Sequence, residues 1–426
     1  MELAPVIVFV GLLIFLAHFF VALFERTRVP DVLYLILIGL ILGPILNLVR
    51  PEDFGKVGDV FTTIALVIIL FEGGLDLSIA SLRSSWRDTV LVTFLAYAVS
   101  WALLTAVLFY FTPLNFLASL FVGAVLAGPA PSVIIPMVRH LRLQDSSKTT
   151  LMLESSVGEA LCFVVSLAVL ESFKLTEVRV GRIAGTLVSS FAFAILIGAI
   201  GGYVWSILLN KMRQLRNAII TTPSFAFILF GVTDFLGFSG PVAVLTFGIV
   251  LGNIAFIKIP WLERRTKLTP LVHNETEKLF FGELVFVVKT FFFVFIGLSA
   301  RFSDYSTMGI AVALTGVLVF SRQIAVRLGV NRSTTPPNDA LVMSVMVSKG
   351  TAAAVLAGLP LQMMIVGGTM MQNLTYGVIT FSIVLTSALV FLLERTSQSS
   401  SSWIFAGFGK SFSAKPPREL PSPDDQ

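Results

Sequence analysis

The stretch AGPAPS, residues 127–132, interrupts an apolar run that is otherwise long enough to cross a membrane. Proline lacks a backbone N–H and clashes with the preceding helical turn, so two prolines two residues apart predict a break in the helix. A second apolar run contains SKGTAAAVLAG, residues 348–358, with a Lys-Gly step at Lys349 and Gly350. The chain is therefore predicted to contain two interrupted helices.

The amino-acid composition indicates that the chain containing these two breaks is a membrane protein. Of the 426 residues, 56% are hydrophobic and 13% are charged, whereas soluble domains carry about 25% charged residues. Apolar runs of spanning length predict an all-α membrane protein with about thirteen transmembrane helices. The predicted spans are 3–24, 31–49, 59–80, 88–112, 115–138, 149–171, 183–210, 217–236, 239–257, 279–299, 306–328, 340–360 and 369–393.

The basic residues indicate how these spans are oriented. The odd-numbered connections carry 17 Lys and Arg, and the even-numbered connections carry 6. Because cytoplasmic loops are enriched in Lys and Arg, the N-terminus is predicted to lie outside and the C-terminus in the cytoplasm. This placement explains the net charge of +5 better than nucleic-acid binding does. The expected location is a cell membrane, with the bacterial inner membrane favoured.

The two breaks occupy corresponding positions if the membrane domain, residues 1–394, consists of two repeats. They fall in the fifth and the twelfth span, so a first repeat at about 3–171 would match a second at about 217–393. Paired interrupted spans are typical of the substrate site in transporters built from inverted repeats. The remaining segment, 395–426, is rich in Ser and Pro and is predicted to be a disordered cytosolic tail.

The sixth span carries two acids in LESSVGEALCF, residues 153–163. Charged groups are costly in hydrocarbon, so both acids need a partner or a function. Ser155 and Glu159 lie four residues apart on one helix face, while Glu154 points about 100° away. A carboxylate in a wet cavity binds a proton or a metal cation, but poorly both at once. Glu159, exposed to each side in turn, would exchange a cation for a proton.

Glu154 is predicted to form a buried ion pair instead. Two bases within the spans, Arg322 and Lys349, are its candidate partners. Removing one partner of a buried pair is strongly destabilising, so the pair would serve the fold. The lone His18 in the first span is expected to be a core histidine with its hydrogen bonds satisfied.

Two further charges within the spans leave alternatives open. Glu72 lies in LFEGGLDL, residues 70–77, where the glycines permit close approach of the backbone. It is either a polar group near an ion path or an acid satisfied locally at a helix-breaking turn. Lys289 precedes a run of phenylalanines and could pair with Glu283 or with groups on the cytosolic side.

Six stretches together match the motifs of one known family. They are LILIGLILGP (35–44), LFEGGLDL (70–77), SGPVAVLTFGIVLGN (239–253), FFFVFIGLSARF (291–302), SRQIAV (321–326) and SKGTAAAVLA (348–357). By these the chain resembles the monovalent cation:proton antiporters, in the sodium/proton exchanger branch, over about 3–393. The resemblance implies inverted repeats, two crossed unwound helices and a homodimer that exchanges Na⁺ or K⁺ for H⁺ by alternating access.

The resemblance also implies roles for residues of the sixth span. Glu154 and Ser155 match a Glu-Ser pair of the family, in which the glutamate would bridge to Arg322 and the serine would help to line the ion site. Glu159 matches the aspartate that carries the ion and the proton. Glu72, in the third-helix signature, is expected to belong to the same ion and proton site.

Two departures from the family pattern affect this site. The family usually has Asn-Asp or Asp-Asp where this chain has Gly158 and Glu159. The crossed helix usually carries Thr-Asp-Pro, which corresponds here to Pro129, Ala130 and Pro131. The second carboxylate of the family's ion site is therefore missing. With one carboxylate, electroneutral exchange of one cation for one proton is the simpler scheme.

The missing aspartate leaves other functions open within the same fold. One is a sensor-like or channel-like protein with little transport, and another is an exchanger of a different substrate, such as an organic cation. An intramembrane enzyme is disfavoured, because only Ser155 near Glu159 could serve as a nucleophile. The expected partners are a monovalent cation, H⁺, the lipid bilayer and a second copy of the chain. No cofactor is expected, since a phosphate-binding loop, a metal-ligand cluster and a catalytic triad are all absent from the sequence.

Overall fold

The computed structural model describes residues 3–27, 30–49, 55–76, 88–173, 180–212, 218–254, 275–299, 305–330 and 335–395, and these contain helices but no β-strand. The predicted tail beyond residue 395 lies outside the described residues. The α-helices in chain order are α1 (Leu3–Thr27), α2 (Asp31–Leu40), α3 (Gly55–Asp76), α4 (Asp88–Phe111), α5 (Phe116–Ala127), α6 (Pro131–His140), α7 (Asp145–Ser172), α8 (Val180–Met212), α9 (Thr221–Phe235), α10 (Gly240–Gly252), α11 (Glu275–Ser299), α12 (Tyr305–Gly329), α13 (Pro337–Val345), α14 (Thr351–Gln362) and α15 (Gly368–Arg395). A π-helical turn, Ile41–Ile45, continues α2.

Helix length and composition agree with a membrane protein. Seven segments of the described chain are long and apolar enough to cross a bilayer, and four shorter helices are also apolar. The longer segments lie in α4, in α5 together with α6, and in α7, α8, α11, α12 and α15. The predicted all-helical membrane fold is therefore confirmed, while the count of thirteen spans stays a prediction.

The two predicted breaks lie against each other. After α5, the backbone is extended at Gly128 and Ala130, and α6 then begins at Pro131. Proline is tolerated at the first position of a helix because the backbone N–H there has no partner within the helix. The second break separates α13 from α14. The backbone N–H of Ala130 donates a hydrogen bond to the carbonyl oxygen of Ser348, at 3.1 Å. Two interrupted helices thus meet at their unwound segments, as predicted.

Two helix pairs next to the crossing approach each other through glycines. A Cβ atom at Gly39 of α2 would lie 2.8 Å from Cα of Gly297 in α11, and one at Gly74 of α3 would lie 2.9 Å from Cα of Gly248 in α10. In the two predicted repeats, α2 corresponds to α10 and α3 corresponds to α11. The contact between α2 and α11 therefore has its counterpart in the contact between α10 and α3. The contacts agree with two repeats, whose boundaries stay a prediction.

The prediction for His18 was wrong. Its side chain is 56% exposed on α1, and its Nδ1 donates to the carbonyl oxygen of Ile14 at 3.0 Å. The ring packs edge-on against Phe286 of α11, with 4.6 Å between centroids. The residue therefore lies on the exposed face of α1, whose opposite face buries Leu13 and Ala17 in the core.

The close contact between α2 and α11 predicts that Gly39→Ala is destabilising. The new Cβ would lie 2.1 Å from the carbonyl oxygen of Val294, so the helices must separate, at a cost of about 1–3 kcal/mol. Gly316→Ala on α12 is the control, because a Cβ there meets nothing within 4 Å. We expect Tm in detergent to fall for Gly39→Ala only. A Gly39→Ala protein that melts at or above the wild-type temperature would contradict the packing.

Candidate ion site at the helix crossing

The crossing brings four helix ends to the middle of the bundle. Helices α5 and α13 end there, and α6 and α14 begin there. Because each helix carries partial positive charge at its N-terminus and partial negative charge at its C-terminus, the crossing holds two ends of each sign. Charged side chains of the right sign can stabilise these ends.

Lys349 lies at the negative end of α5. Its ammonium group donates to the carbonyl oxygen of Gly128 at 2.9 Å and contacts that of Ala127 at 3.4 Å. The residue is only 2% exposed. These carbonyls have no helical partner after the break, so the lysine supplies both a hydrogen bond and a positive charge. Lys349 therefore stabilises the crossing and does not pair with Glu154.

Glu154 pairs with Arg322. The guanidinium of Arg322 in α12 contacts both carboxylate oxygens of Glu154 in α7, with Nη2 at 2.9 Å from Oε2. The Nε–H of the same arginine donates to the carbonyl oxygen of Met343, at 2.9 Å. Both side chains are buried, and a two-pronged pair of this kind is strong and geometrically specific. The pair ties α7, α12 and α13 together beside the crossing.

Glu159 lies at the positive end of α14. Its carboxylate lies near the backbone N–H of Ala352 and 3.5 Å from the hydroxyl of Thr351. The side chain is half-buried, unlike that of Glu154. A carboxylate at a helix N-terminus is stabilised in its ionised form. Glu159 thus combines contact with a helix N-terminus and partial accessibility.

Ser155 shares the Glu159 face of α7 and is fully buried. Its hydroxyl donates to the carbonyl oxygen of Met152 in its own helix, at 2.9 Å. The two lone pairs of the hydroxyl oxygen are the part of this group that a cation could use. Ser155 lies one helical turn from Glu159 in this conformation.

Glu72 pairs with Lys289, which neither sequence interpretation anticipated. The ammonium nitrogen of Lys289 in α11 lies 2.7 Å from Oε2 of Glu72 in α3. Helix α3 continues past Glu72 to Asp76, so the interpretation of a helix-breaking turn was wrong. The alternative in which Lys289 pairs with Glu283 was also wrong, since Lys289 binds Glu72 and Glu283 is 71% exposed beside His18. The sequence contains no local signal for a contact between residues so far apart in the chain.

The two departures from the family pattern are in contact. A Cβ atom at Gly158 would lie 2.6 Å from Cδ of Pro129, and one at Gly128 would lie 2.5 Å from the carbonyl oxygen of Gly158. The proline of the first break therefore fills the space that a side chain at position 158 would need. On the other side, a Cβ at Gly350 would lie 2.7 Å from Cβ of Ala130. Gly158 and Pro129 form one steric unit.

Comparison with known proteins identifies the family. A family profile described as "Sodium/hydrogen exchanger, transmembrane" matches residues 11–395. The chain belongs to this sodium/hydrogen exchanger family. The family consists of transporters, in agreement with the interrupted helices at the centre of the fold.

Individual members of the sodium/hydrogen exchanger family match over most of the chain. The Na(+)/H(+) antiporter 1 of Methanocaldococcus jannaschii is 25% identical over 373 residues, which are 84% of this chain and 83% of that protein. The K(+)/H(+) antiporter NhaP2 of Shewanella sp. (strain ANA-3) is 24% identical over 389 residues, and the match covers 88% of this chain and 64% of NhaP2.

A solved structure shares the fold. The sodium proton antiporter MjNhaP1 from Methanocaldococcus jannaschii, at pH 8, superposes with a TM-score of 0.72. The superposition covers 93% of this chain and 99% of the other, at 20% sequence identity. The antiporter fold, with its crossed interrupted helices, is therefore the fold of this sodium/hydrogen exchanger family member.

The contact between Gly158 and Pro129 predicts a coupled effect of two substitutions. Gly158→Asn is expected to clash with the proline ring and to destabilise the protein by about 1–3 kcal/mol. Pro129→Thr removes the ring atoms, so the double variant should recover part of the loss. A double-mutant cycle on Tm measures this coupling. A double variant that melts no higher than Gly158→Asn alone would show that the two positions are independent.

The buried ion pair predicts that Arg322→Ala mainly harms folding. The substitution leaves the Glu154 carboxylate buried without its partner, which costs about 3–5 kcal/mol. Arg327→Ala, on the same helix but exposed, is the control and should cost less stability than Arg322→Ala, because it leaves no buried carboxylate unpaired. The yield of monodisperse protein and its Tm measure the effect. An Arg322→Ala protein as stable as Arg327→Ala would mean that the pair does not support the fold.

Proposed function

We propose that this protein is a secondary active transporter that exchanges a monovalent cation, Na⁺ or K⁺, for H⁺ by alternating access. The observation that carries the proposal is the half-buried carboxylate of Glu159 at the helix crossing of a sodium/hydrogen exchanger family member. Relatives named as Na(+)/H(+) and K(+)/H(+) antiporters support both cations as substrates.

Glu159 would bind the cation and the proton in competition. A proton neutralises the carboxylate, and a cation bound by its oxygens does the same, so one excludes the other. The N-terminus of α14 and the hydroxyl of Thr351 stabilise the ionised carboxylate, which is the form that binds a cation. Ser155, on the same face of α7, would add a hydroxyl oxygen to the site. An elevator-like or rocking movement would expose Glu159 to each side in turn.

The longer side chain of glutamate suits a crossing without the usual aspartate. With Ala130 in the first break, no carboxylate there faces the helix N-termini. Glu159 is one methylene longer than the family's aspartate, and its carboxylate is in contact with the first turn of α14. One acid would then stabilise the helix end and exchange its ligand. With Ala130 in place of a second acid, the proposed stoichiometry is one cation for one proton.

The proposal includes a setting for the transporter. The protein would be a homodimer in a cell membrane, the bacterial inner membrane being favoured, with its N-terminus outside and its C-terminus in the cytoplasm. Two inverted repeats, at about 3–171 and 217–393, would form the membrane domain. Lys349 and Gly350 with Pro129, Ala130 and Pro131 would form the unwound centre about which the repeats move. No cofactor takes part in this scheme.

Proton flux in proteoliposomes tests the function. A pH dye inside the vesicles reports proton movement after Na⁺, K⁺ or Li⁺ is added outside in turn. We expect cation-dependent flux from the wild type and its loss in Glu159→Gln, because an amide binds neither ligand exchangeably. Glu283→Gln is the matched control, since Glu283 is an exposed acid outside the site.

Two outcomes would contradict the proposal. Wild-type flux from a correctly inserted Glu159→Gln protein would overturn the assignment of the site. Absence of flux with every cation, from folded wild-type protein, would overturn coupled exchange. A sensor-like or channel-like role would then be favoured, and Ala130→Asp would test whether a restored carboxylate creates transport.

A further inference from the structure

The pair formed by Glu72 and Lys289 lies within the membrane segments near the proposed site. The nitrogen-to-oxygen distance of 2.7 Å joins α3 to α11, and the two side chains are 26% and 22% exposed. Neither group is sealed in the core as the Glu154 and Arg322 pair is. A pair that remains partly accessible is able to open and exchange partners.

Lys289 is surrounded by acids from several helices. Glu72 and Asp76 of α3 and Glu159 of α7 all act electrostatically on its ammonium group. Asp31, at the start of α2, also interacts electrostatically with Lys289. Glu159 in turn interacts electrostatically with Lys289, Glu72 and Asp76. The ammonium group therefore belongs to the same electrostatic unit as the proposed exchange carboxylate.

An ammonium group resembles the proposed cargo in charge and binding mode. It is a compact monovalent cation that binds a carboxylate through short charge-assisted contacts. On Glu72 it takes the place that a free monovalent cation would take. With Lys289 present, the pair is formally neutral and Glu159 is the remaining acid of the inner site. Without Lys289, Glu72 and Glu159 would offer two negative charges to one cation, while Asp76 is exposed at the end of α3.

We propose that Lys289 is a tethered counter-cation that occupies Glu72, lowers the affinity of the site for the transported cation and keeps the exchange at one cation per proton. The inference rests on the proposed function. It assigns Lys289 as a residue that sets affinity and stoichiometry, and it gives Glu72 a defined place in the ion and proton site. Each transport cycle then needs to neutralise only Glu159.

The test compares Lys289→Met with Lys289→Arg in the proteoliposome assay. Methionine keeps an unbranched side chain without charge, whereas arginine keeps the charge. Lys289→Met is expected to lower the KM for the cation about tenfold, the effect of a ligand worth about 1.4 kcal/mol. Lys289→Arg should lack this gain. Glu283→Gln, on the same helix and exposed, should keep the wild-type KM.

The double variant Glu72→Gln/Lys289→Met removes both charges of the pair. The KM is expected to rise from the Lys289→Met value, because Glu72 no longer offers a negative charge to the cation. If Lys289→Met alone fails to fold, Lys289→Gln replaces it in this comparison, because its amide keeps a hydrogen bond to Glu72 without the positive charge. A folded double variant that keeps the lowered KM of Lys289→Met would overturn the inference, because Glu72 would then not be the acid that Lys289 occupies.

An imposed membrane potential tests the stoichiometry. Exchange of one cation for one proton moves no net charge, so wild-type flux should not respond to the potential. Lys289→Met should respond, because a second proton can leave Glu72 when the cation binds. Wild-type flux together with an unchanged KM in folded Lys289→Met would overturn this inference alone. A wild type without cation-dependent flux would overturn the proposed function and this inference together.

Discussion

The contact between the two helix breaks is the constraint on which the rest of the structure depends. Inside a bilayer, every backbone group must find its partner within the protein, so an unwound segment persists only where another segment satisfies it. Here the N–H of Ala130 reaches the carbonyl oxygen of Ser348, and Lys349 binds the last carbonyls of α5. Each break therefore completes the other, and neither interrupted helix could span the membrane alone.

The charges at the crossing follow from the helix ends that the breaks create. Lys349 stabilises a negative end, and Glu159 lies at a positive end. The Glu154 and Arg322 pair is fully buried and links the helices around them. A lysine or pair that is buried and hydrogen-bonded holds the framework still, whereas the half-buried carboxylate of Glu159 remains free to change its ligand. Burial thus separates the supporting charges from the one proposed to act.

The site also shows how changes in sequence are coupled through space. Gly158 and Pro129 each depart from the family pattern, and each makes room for the other. Ala130 removes an acid from the crossing, and Lys289 neutralises another acid nearby. Both features reduce the negative charge near Glu159. A site with fewer net charges suits the proposed exchange of one cation for one proton.

The sequence by itself determined the membrane class, the two breaks and the acids that require a role, because hydropathy, proline and charge act locally along the chain. It also indicated Arg322 as a partner of Glu154, through the family resemblance. Only the tertiary structure decided that Lys289 binds Glu72, that Lys349 binds helix carbonyls and that Gly158 faces Pro129. These contacts join residues on different helices. Helix packing sets them, and the periodicity of a single helix specifies which face is buried but not which residue it meets.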